Sequence, residues 1–197
     1  MLHQGIYEQY HNGVQAAIAQ PEVETLGSGR EAKTGLPGDP LIATCKATTF
    51  LGNEQLKEEV FGPYSLVVKC KDAGQMVEVL HKAGGQLTIT FMATDSEMKN
   101  NQELLAVATT HAGRVIFNGV PTGVEVCHSM VHGGPFPATT DARTTSVGTD
   151  AIKRFTRPVC YQDAPQDLLP DELKDHNPLN VFRTVNGMIT KDKITTD

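Results

Sequence analysis

The sequence lacks a long apolar run and a basic cluster, and each absence excludes a class of partner. Its longest apolar runs, such as residues 66–68 and 115–117, are far shorter than the roughly 20 residues that span a bilayer. Lys and Arg number 17 against 23 Asp and Glu, which gives a net charge of −6. Since a nucleic-acid binder neutralises phosphates with clustered cations, we expect neither a membrane nor a nucleic-acid partner.

Close cysteine pairs are also missing. Cys45, Cys70, Cys127 and Cys160 lie far apart, which argues against a zinc ribbon or a disulfide framework. Cys45, Cys70 and Cys160 lie in apolar or β-branched stretches, so we interpret these three as small buried hydrophobic residues. Residues 1–8 have neither a basic region nor an apolar core, so no secretory signal is read there and a cytoplasmic location is expected.

Strand-like and helix-like segments alternate through the first two thirds of the chain. Amphipathic or capped segments predict helices at 5–19, at 73–83 and from Asp95 or Ser96 to His111. Apolar, β-branched runs predict strands at 41–49, 65–70, 87–91 and 114–117, with a Gly- and Pro-rich loop over 26–40. This order favours an α/β fold with a parallel sheet and right-handed crossovers.

The remainder of the chain is mostly irregular. Residues 119–149 are rich in Gly, Pro and Thr, and an irregular stretch of this length is typical of an ordered functional loop. A short helix is predicted at 149–155 and a strand at 157–162, followed by a Pro- and Asp-rich tail with a frayed end.

Gly27 and Gly29 begin a formal match to the dinucleotide fingerprint G-x-G-x-x-G/A. That motif requires a strand before it and a helix after it, whereas here a predicted helix precedes and a Gly- and Pro-rich segment follows. We therefore do not assign a phosphate-binding role to this segment.

A second candidate cluster contains Cys127, His128 and His132, for which we consider two chemical roles besides that of polar loop residues. His128 and His132 could be metal ligands at helical spacing, and Cys127 with His128 could be a nucleophile and its base. Gly133 and Gly134 follow at once and no Glu separates the histidines, so polar loop residues beside a pocket are favoured.

Residues 57–63 place a carboxylate, an aromatic ring and a Gly-Pro pair within one short segment. Glu59 and Phe61 at this spacing could present an acceptor and a flat ring to one ligand. The same residues could equally form an acidic turn with one core Phe, and the residue types alone leave both interpretations open.

The segment Glu58-Glu59-Val60-Phe61-Gly62-Pro63 resembles the E-E-x-F-G-P motif of the aldehyde dehydrogenase superfamily. The resemblance implies that Glu59 binds the hydroxyls of the nicotinamide ribose and that Phe61 packs at the nicotinamide ring. It further implies NAD or NADP as the cofactor.

Residues 113–128, 132–141 and 145–149 resemble one branch of that superfamily, the 2,5-dioxovalerate (α-ketoglutarate semialdehyde) dehydrogenases. The branch carries an H-G-G-P-x-P-A type loop, matched here by residues 132–138. The resemblance implies oxidation of a short oxo-acid aldehyde, such as 2,5-dioxopentanoate, to 2-oxoglutarate. It implies a substrate tunnel lined by Pro121, Thr122, Gly123, Val126, Cys127 and His128.

The family's nucleophilic Cys and general-base Glu, which precede the E-E-x-F-G-P motif, have no counterpart in this sequence. The resemblance therefore implies a carboxy-terminal fragment that is inactive by itself. Residues 1–155 would be a partial catalytic domain, and residues 156–197 an oligomerisation strand and tail. Residues 157–162 would pair with a neighbouring subunit in a homo-oligomer. The alternatives are a stand-alone, non-catalytic assembly or binding module, or a metal-dependent enzyme built on His128 and His132.

Overall fold

The computed structural model describes residues 1–29, 35–121 and 123–195, and the chain divides into two compact units after residue 155. The helices are α1 (Gln4–Ile18), α2 (Ala47–Gly52), α3 (Ala73–Ala83), α4 (Asp95–Asn100) and α5 (Gln102–His111). The strands are β1 (Glu24–Ser28), β2 (Leu41–Lys46), β3 (Tyr64–Lys69), β4 (Gln86–Phe91), β5 (Ala112–Phe117), β6 (Arg183–Val185) and β7 (Met188–Thr190). A search of the described ranges finds no helix with the length and hydropathy of a membrane span.

Parallel strand pairs joined through helices form the first unit and confirm the α/β fold. β2 pairs with β3 in parallel, and β4 pairs with β5 in parallel. β1 adds an antiparallel edge to β2, with a register shift between Thr25 and Gly27. Within the described part of the first unit the strands form two separate sheets, β1-β2-β3 and β4-β5, rather than the one sheet expected.

A loop prediction and a strand prediction were wrong in their bounds. Residues 26–28 were assigned to the loop over 26–40, but they belong to β1, which pairs with β2. Residues 41–49 were assigned to one strand, but the chain turns into α2 at Ala47. The turn buries Phe50 against Cys45 and Leu56. The β-propensity of these residues does not include this tertiary contact, so it predicted a longer strand.

The helix predictions hold for α1 and α3. Asp72 caps α3 by accepting a hydrogen bond of 2.8 Å from the Gln75 N–H, and Gly84 ends it at a positive φ of 72°. The single helix predicted from residue 95 or 96 to His111 was wrong. Thr94 is the cap, and the segment breaks at Asn101, whose side chain donates 2.8 Å to the Glu97 carbonyl.

Few large side chains are buried. The core residues of the first unit are Tyr10, Val14, Ala17, Ala43, Cys45, Ala47, Phe50, Leu56, Leu104 and Ala108. The cysteine prediction is confirmed for Cys45, which is 3% exposed, whereas Cys70 is half-buried. It was wrong for Cys160, which is exposed.

The second unit is organised by polar side chains that bind backbone groups. Asn177 is buried and donates to the carbonyls of Val181 and Lys191, at 3.0 and 2.8 Å. The Arg183 guanidinium donates to three backbone carbonyls, those of residues 174, 175 and 192. β6 and β7 form a hairpin whose turn, Asn186 and Gly187, has positive φ at both positions, as tight hairpin turns require.

The strand predicted at 157–162 is not formed within the chain. These residues make no backbone–backbone hydrogen bond to any other described residue. A strand needs a neighbouring strand to bond, and the described part of the chain supplies none here. Val159 and Tyr161 are 58% and 49% exposed.

Candidate cofactor and substrate site

The segment that contains Glu59 and Phe61 joins a 3-10 turn, Glu54–Lys57, to the start of β3. Its backbone is tied to the sheet, because the Leu41 N–H donates to the Pro63 carbonyl at 3.0 Å. The Tyr64 N–H donates to the Gly62 carbonyl at 2.8 Å. The segment therefore has a fixed path at the amino-terminal end of the β2-β3 pair.

Helix α1 holds one side of this segment. A Cβ on Gly62 would lie 2.8 Å from Tyr10 Cε2 and closer still to Cδ2, so the glycine backbone lies directly on the tyrosine ring. A Cβ on Gly13 would lie 3.3 Å from Val60 Cγ1, so Val60 also packs closely against α1. One glycine lies in the segment and the other in α1, and neither position has room for a Cβ without movement of its neighbour. The segment and the helix are therefore in direct contact.

Tyr10 is the anchor of this contact and is 1% exposed. Its hydroxyl donates to the Asp39 carbonyl and lies 3.4 Å from the Pro63 carbonyl oxygen. Burial, followed by the nearby Asp39 charge, raises the pKa of the Tyr10 hydroxyl, which therefore remains a donor at neutral pH. Sequence reasoning missed Tyr10, because nothing local connects it to a segment 50 residues away.

Glu59 and Phe61 alternate with the residues that face α1 and lie on the exposed side. Phe61 is 61% exposed, although a core position was an open alternative for it. The Glu59 carboxylate has no hydrogen-bond or ion-pair partner among the described residues. The segment thus offers an unpaired acceptor and a flat apolar ring, two residues apart, to a ligand outside the unit.

The 3-10 turn before this segment is tied to α3 by charge. Glu54 accepts hydrogen bonds from the ammonium groups of Lys57 and Lys82. These hydrogen bonds, that from Lys57 first, lower the pKa of the Glu54 carboxyl to about 2. The exposed ion pairs link the turn at the base of the Glu59 segment to the last turn of α3.

The second candidate group follows β5, at the carboxyl ends of β4 and β5. Asn118 links these two strand ends: its N–H donates to the Phe91 carbonyl at 2.8 Å. Its side chain bonds the Ala93 N–H at 3.0 Å and the Ala93 carbonyl at 2.9 Å. Ligand sites of open parallel sheets lie at this edge, where the loop over residues 119–131 begins.

Contacts with residues on either side of this loop hold it in place. The Arg114 guanidinium, on β5, donates 3.0 Å to the Gly123 carbonyl and lies 3.8 Å from Met130 Sδ. His128 Nδ1 is 3.1 Å from Thr149 Oγ1. A Cβ on Gly148 would lie 3.0 Å from the Cys127 carbonyl oxygen, so the loop turn lies on that glycine.

The described tunnel residues are mostly exposed. Pro121, Gly123, Val126 and His128 are exposed, Val126 at 73%, and Cys127 is half-buried. Thr122, predicted with them, lies outside the described residues. A cavity of about 200 Å³ adjoins the loop, lined among others by His128, Met130 and Arg143.

The two predicted groups are carried by different sheets. Glu59 and Phe61 precede β3, whereas the loop follows β5, and no hydrogen bond or ring contact joins them within 1–29, 35–121 and 123–195. His128 and His132 also have different partners. The His132 N–H donates 2.8 Å to Thr145 Oγ1, and the buried His132 Nδ1 has no partner.

The H-G-G-P segment lies against glycines of the β4-β5 sheet. A Cβ on Gly113 would lie 2.6 Å from the Gly133 carbonyl carbon, and one on Gly85 would lie 2.5 Å from the Phe136 carbonyl oxygen. A Cβ on Gly134 would lie 2.5 Å from the Gln86 carbonyl oxygen. Backbone therefore lies on backbone along the start of β4 and β5.

The chain is similar to curated semialdehyde dehydrogenases over nearly its whole length. No family model matches the chain. The chain is 47% identical over 193 residues to an alpha-ketoglutaric semialdehyde dehydrogenase of Acinetobacter baylyi, covering 98% of this chain and 37% of the relative. It is 46% identical to alpha-ketoglutaric semialdehyde dehydrogenase 2 of Azospirillum brasilense, covering 95% of this chain and 36% of the relative.

The chain therefore spans little more than a third of the length of these curated relatives. Among solved structures, its fold is similar to the Delta-pyrroline-5-carboxylate dehydrogenase of Mycobacterium tuberculosis bound with NAD. The TM-score is 0.55 at 20% identity, covering 72% of this chain and 25% of that one. At this identity the likeness concerns the fold alone.

Proposed function

We propose that the chain is a carboxy-terminal part of an NAD(P)-dependent aldehyde dehydrogenase and supplies its cofactor-positioning and substrate-loop residues; its identity to two curated semialdehyde dehydrogenases supports this. The substrate would be a short oxo-acid aldehyde, such as 2,5-dioxopentanoate, oxidised to 2-oxoglutarate. The observation that carries this proposal is the outward pair Glu59 and Phe61 on a segment fixed from behind by α1.

The chemistry of these two residues fits a nicotinamide riboside. A carboxylate accepts hydrogen bonds from vicinal hydroxyls, and such charge-assisted bonds are among the stronger ones. The Phe61 ring offers a flat face to an aromatic ring. When bound, NAD or NADP supplies the hydride acceptor of the reaction.

Positioning would be the contribution of this chain to catalysis. Hydride transfer requires the reacting atoms to be held close together and aligned, and holding one of them rigidly lowers the barrier. Tyr10 and Val60 fix the segment from behind, so Glu59 and Phe61 orient a ligand without movement of the backbone. The loop over 121–128 would line the path of the aldehyde.

The test is Glu59→Gln in the complete dehydrogenase chain, with the neighbouring Glu58→Gln as the matched control. Both residues are exposed, so neither change should lower thermal stability appreciably. Loss of a charged acceptor removes about 1.5–3 kcal/mol, so kcat/KM for Glu59→Gln should fall roughly ten- to a hundredfold. A large loss of stability with unchanged kinetics would instead assign Glu59 a structural role.

We expect the 197-residue polypeptide by itself not to oxidise aldehydes. Burial raises the pKa of the Cys45 and Cys70 thiols, which disfavours the thiolate that a nucleophile needs. The measurement is turnover of 2,5-dioxopentanoate with NADP by the purified polypeptide. Turnover at a normal enzyme rate, free of a full-length contaminant, would contradict this expectation.

Residues 157–162 would pair with a neighbouring copy of the chain. The support is their unpartnered backbone and the exposed Val159 and Tyr161. Unpaired strand edges readily accept a second strand. Cys160→Pro removes one N–H and should reduce the oligomer measured by light scattering, whereas Cys160→Ser keeps that N–H and should not. An oligomer unchanged by the proline would place the interface elsewhere.

A further inference from the structure

Two histidines outside the proposed site face each other across two helices. His81 lies in the last turn of α3 and His111 is the last residue of α5, and these helices pack together. His81 Nδ1 and His111 Nε2 are 3.3 Å apart, with ring centroids 4.9 Å apart and planes at 69°. His81 is exposed and His111 is half-buried.

The separation of the two nitrogens matches that of two ligands on one metal ion. Imidazole nitrogens bind Zn²⁺ at about 2.0–2.1 Å, so two of them on a tetrahedral ion lie about 3.3–3.4 Å apart. The present separation of 3.3 Å is therefore already that of two ligands on one such ion.

The environment of His111 favours the tautomer that can bind a metal through Nε2. His111 Nδ1 is 3.0 Å from the Val107 carbonyl oxygen, which can only accept a hydrogen bond. Thr110 Oγ1, 2.9 Å from the same nitrogen, gives its own proton to the Val107 carbonyl. The ring proton is therefore on Nδ1, and Nε2, on the side of His81, carries the lone pair that can bind a metal. Metal-ligating histidines are held in this way, with the second nitrogen donating to a carbonyl or carboxylate.

Both histidines also lie where a cation is stabilised. The carboxyl end of a helix carries a partial negative charge, and α3 and α5 both end at this point. A divalent ion between the rings would interact favourably with both helix ends.

We propose that His81 and His111 form a two-histidine chelate for a divalent transition-metal ion of the zinc class. Imidazole suits Zn²⁺, Cu²⁺ and Ni²⁺, whereas Mg²⁺ prefers oxygen ligands. No group of three or more His, Cys, Asp or Glu placed to hold a metal occurs within the described ranges, so water completes the coordination. With two protein ligands the site binds more weakly than a four-ligand structural zinc site, and its occupancy links α3 to α5.

The experiment titrates the untagged full chain with Zn²⁺ by calorimetry, and with Mg²⁺ in parallel. We expect Zn²⁺ to bind and to raise Tm, and Mg²⁺ to do neither. His81→Asn and His111→Asn should each weaken that Zn²⁺ binding at least tenfold and abolish the rise in Tm. His176→Asn, in the second unit, is the matched control and should retain both effects.

Circular dichroism of each variant without metal shows whether it folds. Should His81→Asn not fold, His81→Gln provides the same loss of a ligand with a longer side chain. Zinc binding that is unchanged in both histidine variants would overturn the proposal. So would a chain that binds no Zn²⁺ but loses Tm in both variants, since the rings would then only hydrogen-bond to each other.

Discussion

Replacing Gly62 by Ala should disturb the contact that fixes the Glu59 segment. The new methyl group would lie 2.8 Å from Tyr10 Cε2 and 2.9 Å from Tyr10 Cγ, distances that Cβ atoms do not adopt. The ring cannot rotate away easily, because Tyr10 is buried and its hydroxyl is bonded to the Asp39 carbonyl. Either the ring or the segment must shift.

Overpacking of this kind costs about 1–3 kcal/mol. With a urea m-value of about 2 kcal/mol/M, a loss of about 2 kcal/mol lowers the unfolding midpoint by about 1 M. The chain has no Trp, so far-ultraviolet circular dichroism of its helices is the appropriate probe. Gly52→Ala, at the end of α2, is the matched control, because a Cβ there meets no atom within 4 Å.

A midpoint for Gly62→Ala equal to that of Gly52→Ala would refute the reasoning. It would mean that the segment can move away from α1 without loss of unfolding free energy, so that the contact with Tyr10 does not fix its position. Under the proposed function, Gly62→Ala in a dehydrogenase that contains this chain should also raise KM for the cofactor, because Glu59 and Phe61 share the displaced backbone.

Three further predictions concern a cap, a carboxylate and the thiols. Thr94→Ala removes the cap of α4 and should destabilise the chain by about 1 kcal/mol in urea unfolding; an unchanged midpoint would mean that the cap is dispensable. The folded-state pKa of Glu54 is about 2, below its ordinary 4.5. The stabilisation by its ion pairs is therefore complete above pH 4.5 and is lost as the pH falls towards 2. Glu54→Gln should reduce the pH dependence of the free energy of unfolding over that range, and Lys82→Gln should reduce it by a smaller amount. A thiol reagent should modify the exposed Cys160 in the folded chain and the buried Cys45 only on unfolding. Faster modification of Cys45 than of Cys160 would contradict this.

The elements that sequence predicts well are those whose signals are local. Helix α3 is formed over the predicted residues and ends at Gly84 as predicted, and its cap Asp72 is also a local signal. The parallel pairs β2-β3 and β4-β5 follow from apolar runs separated by helical segments. The resemblance in residues 58–63 also rests on neighbouring residues, and the structure places that segment on the surface.

The features that the sequence did not predict depend on contacts between residues that are far apart in the chain. Residues 26–28 contain a Gly and were predicted to be part of a loop, but β2 pairs with them as part of β1. Cys160 lies in an apolar stretch that nothing in the described chain covers. Tyr10 looks like one of several apolar positions on α1, and only the folded chain shows that Gly62 lies on its ring.

The contact of the H-G-G-P segment with Gly85 and Gly113 fixes the course of that segment through main chain alone. Main-chain atoms of Gly133 and Phe136 lie on the start of β4 and β5, where a side chain on the glycines would not fit. The loop before the segment is held differently, by the Arg114 guanidinium and by the contact of His128 with Thr149. Exchange of the exposed Val126 should therefore leave the backbone of the loop unchanged, whereas exchange of His128 should not. In engineering terms, the glycine contacts are a fixed frame, and Val126 is a position open to redesign.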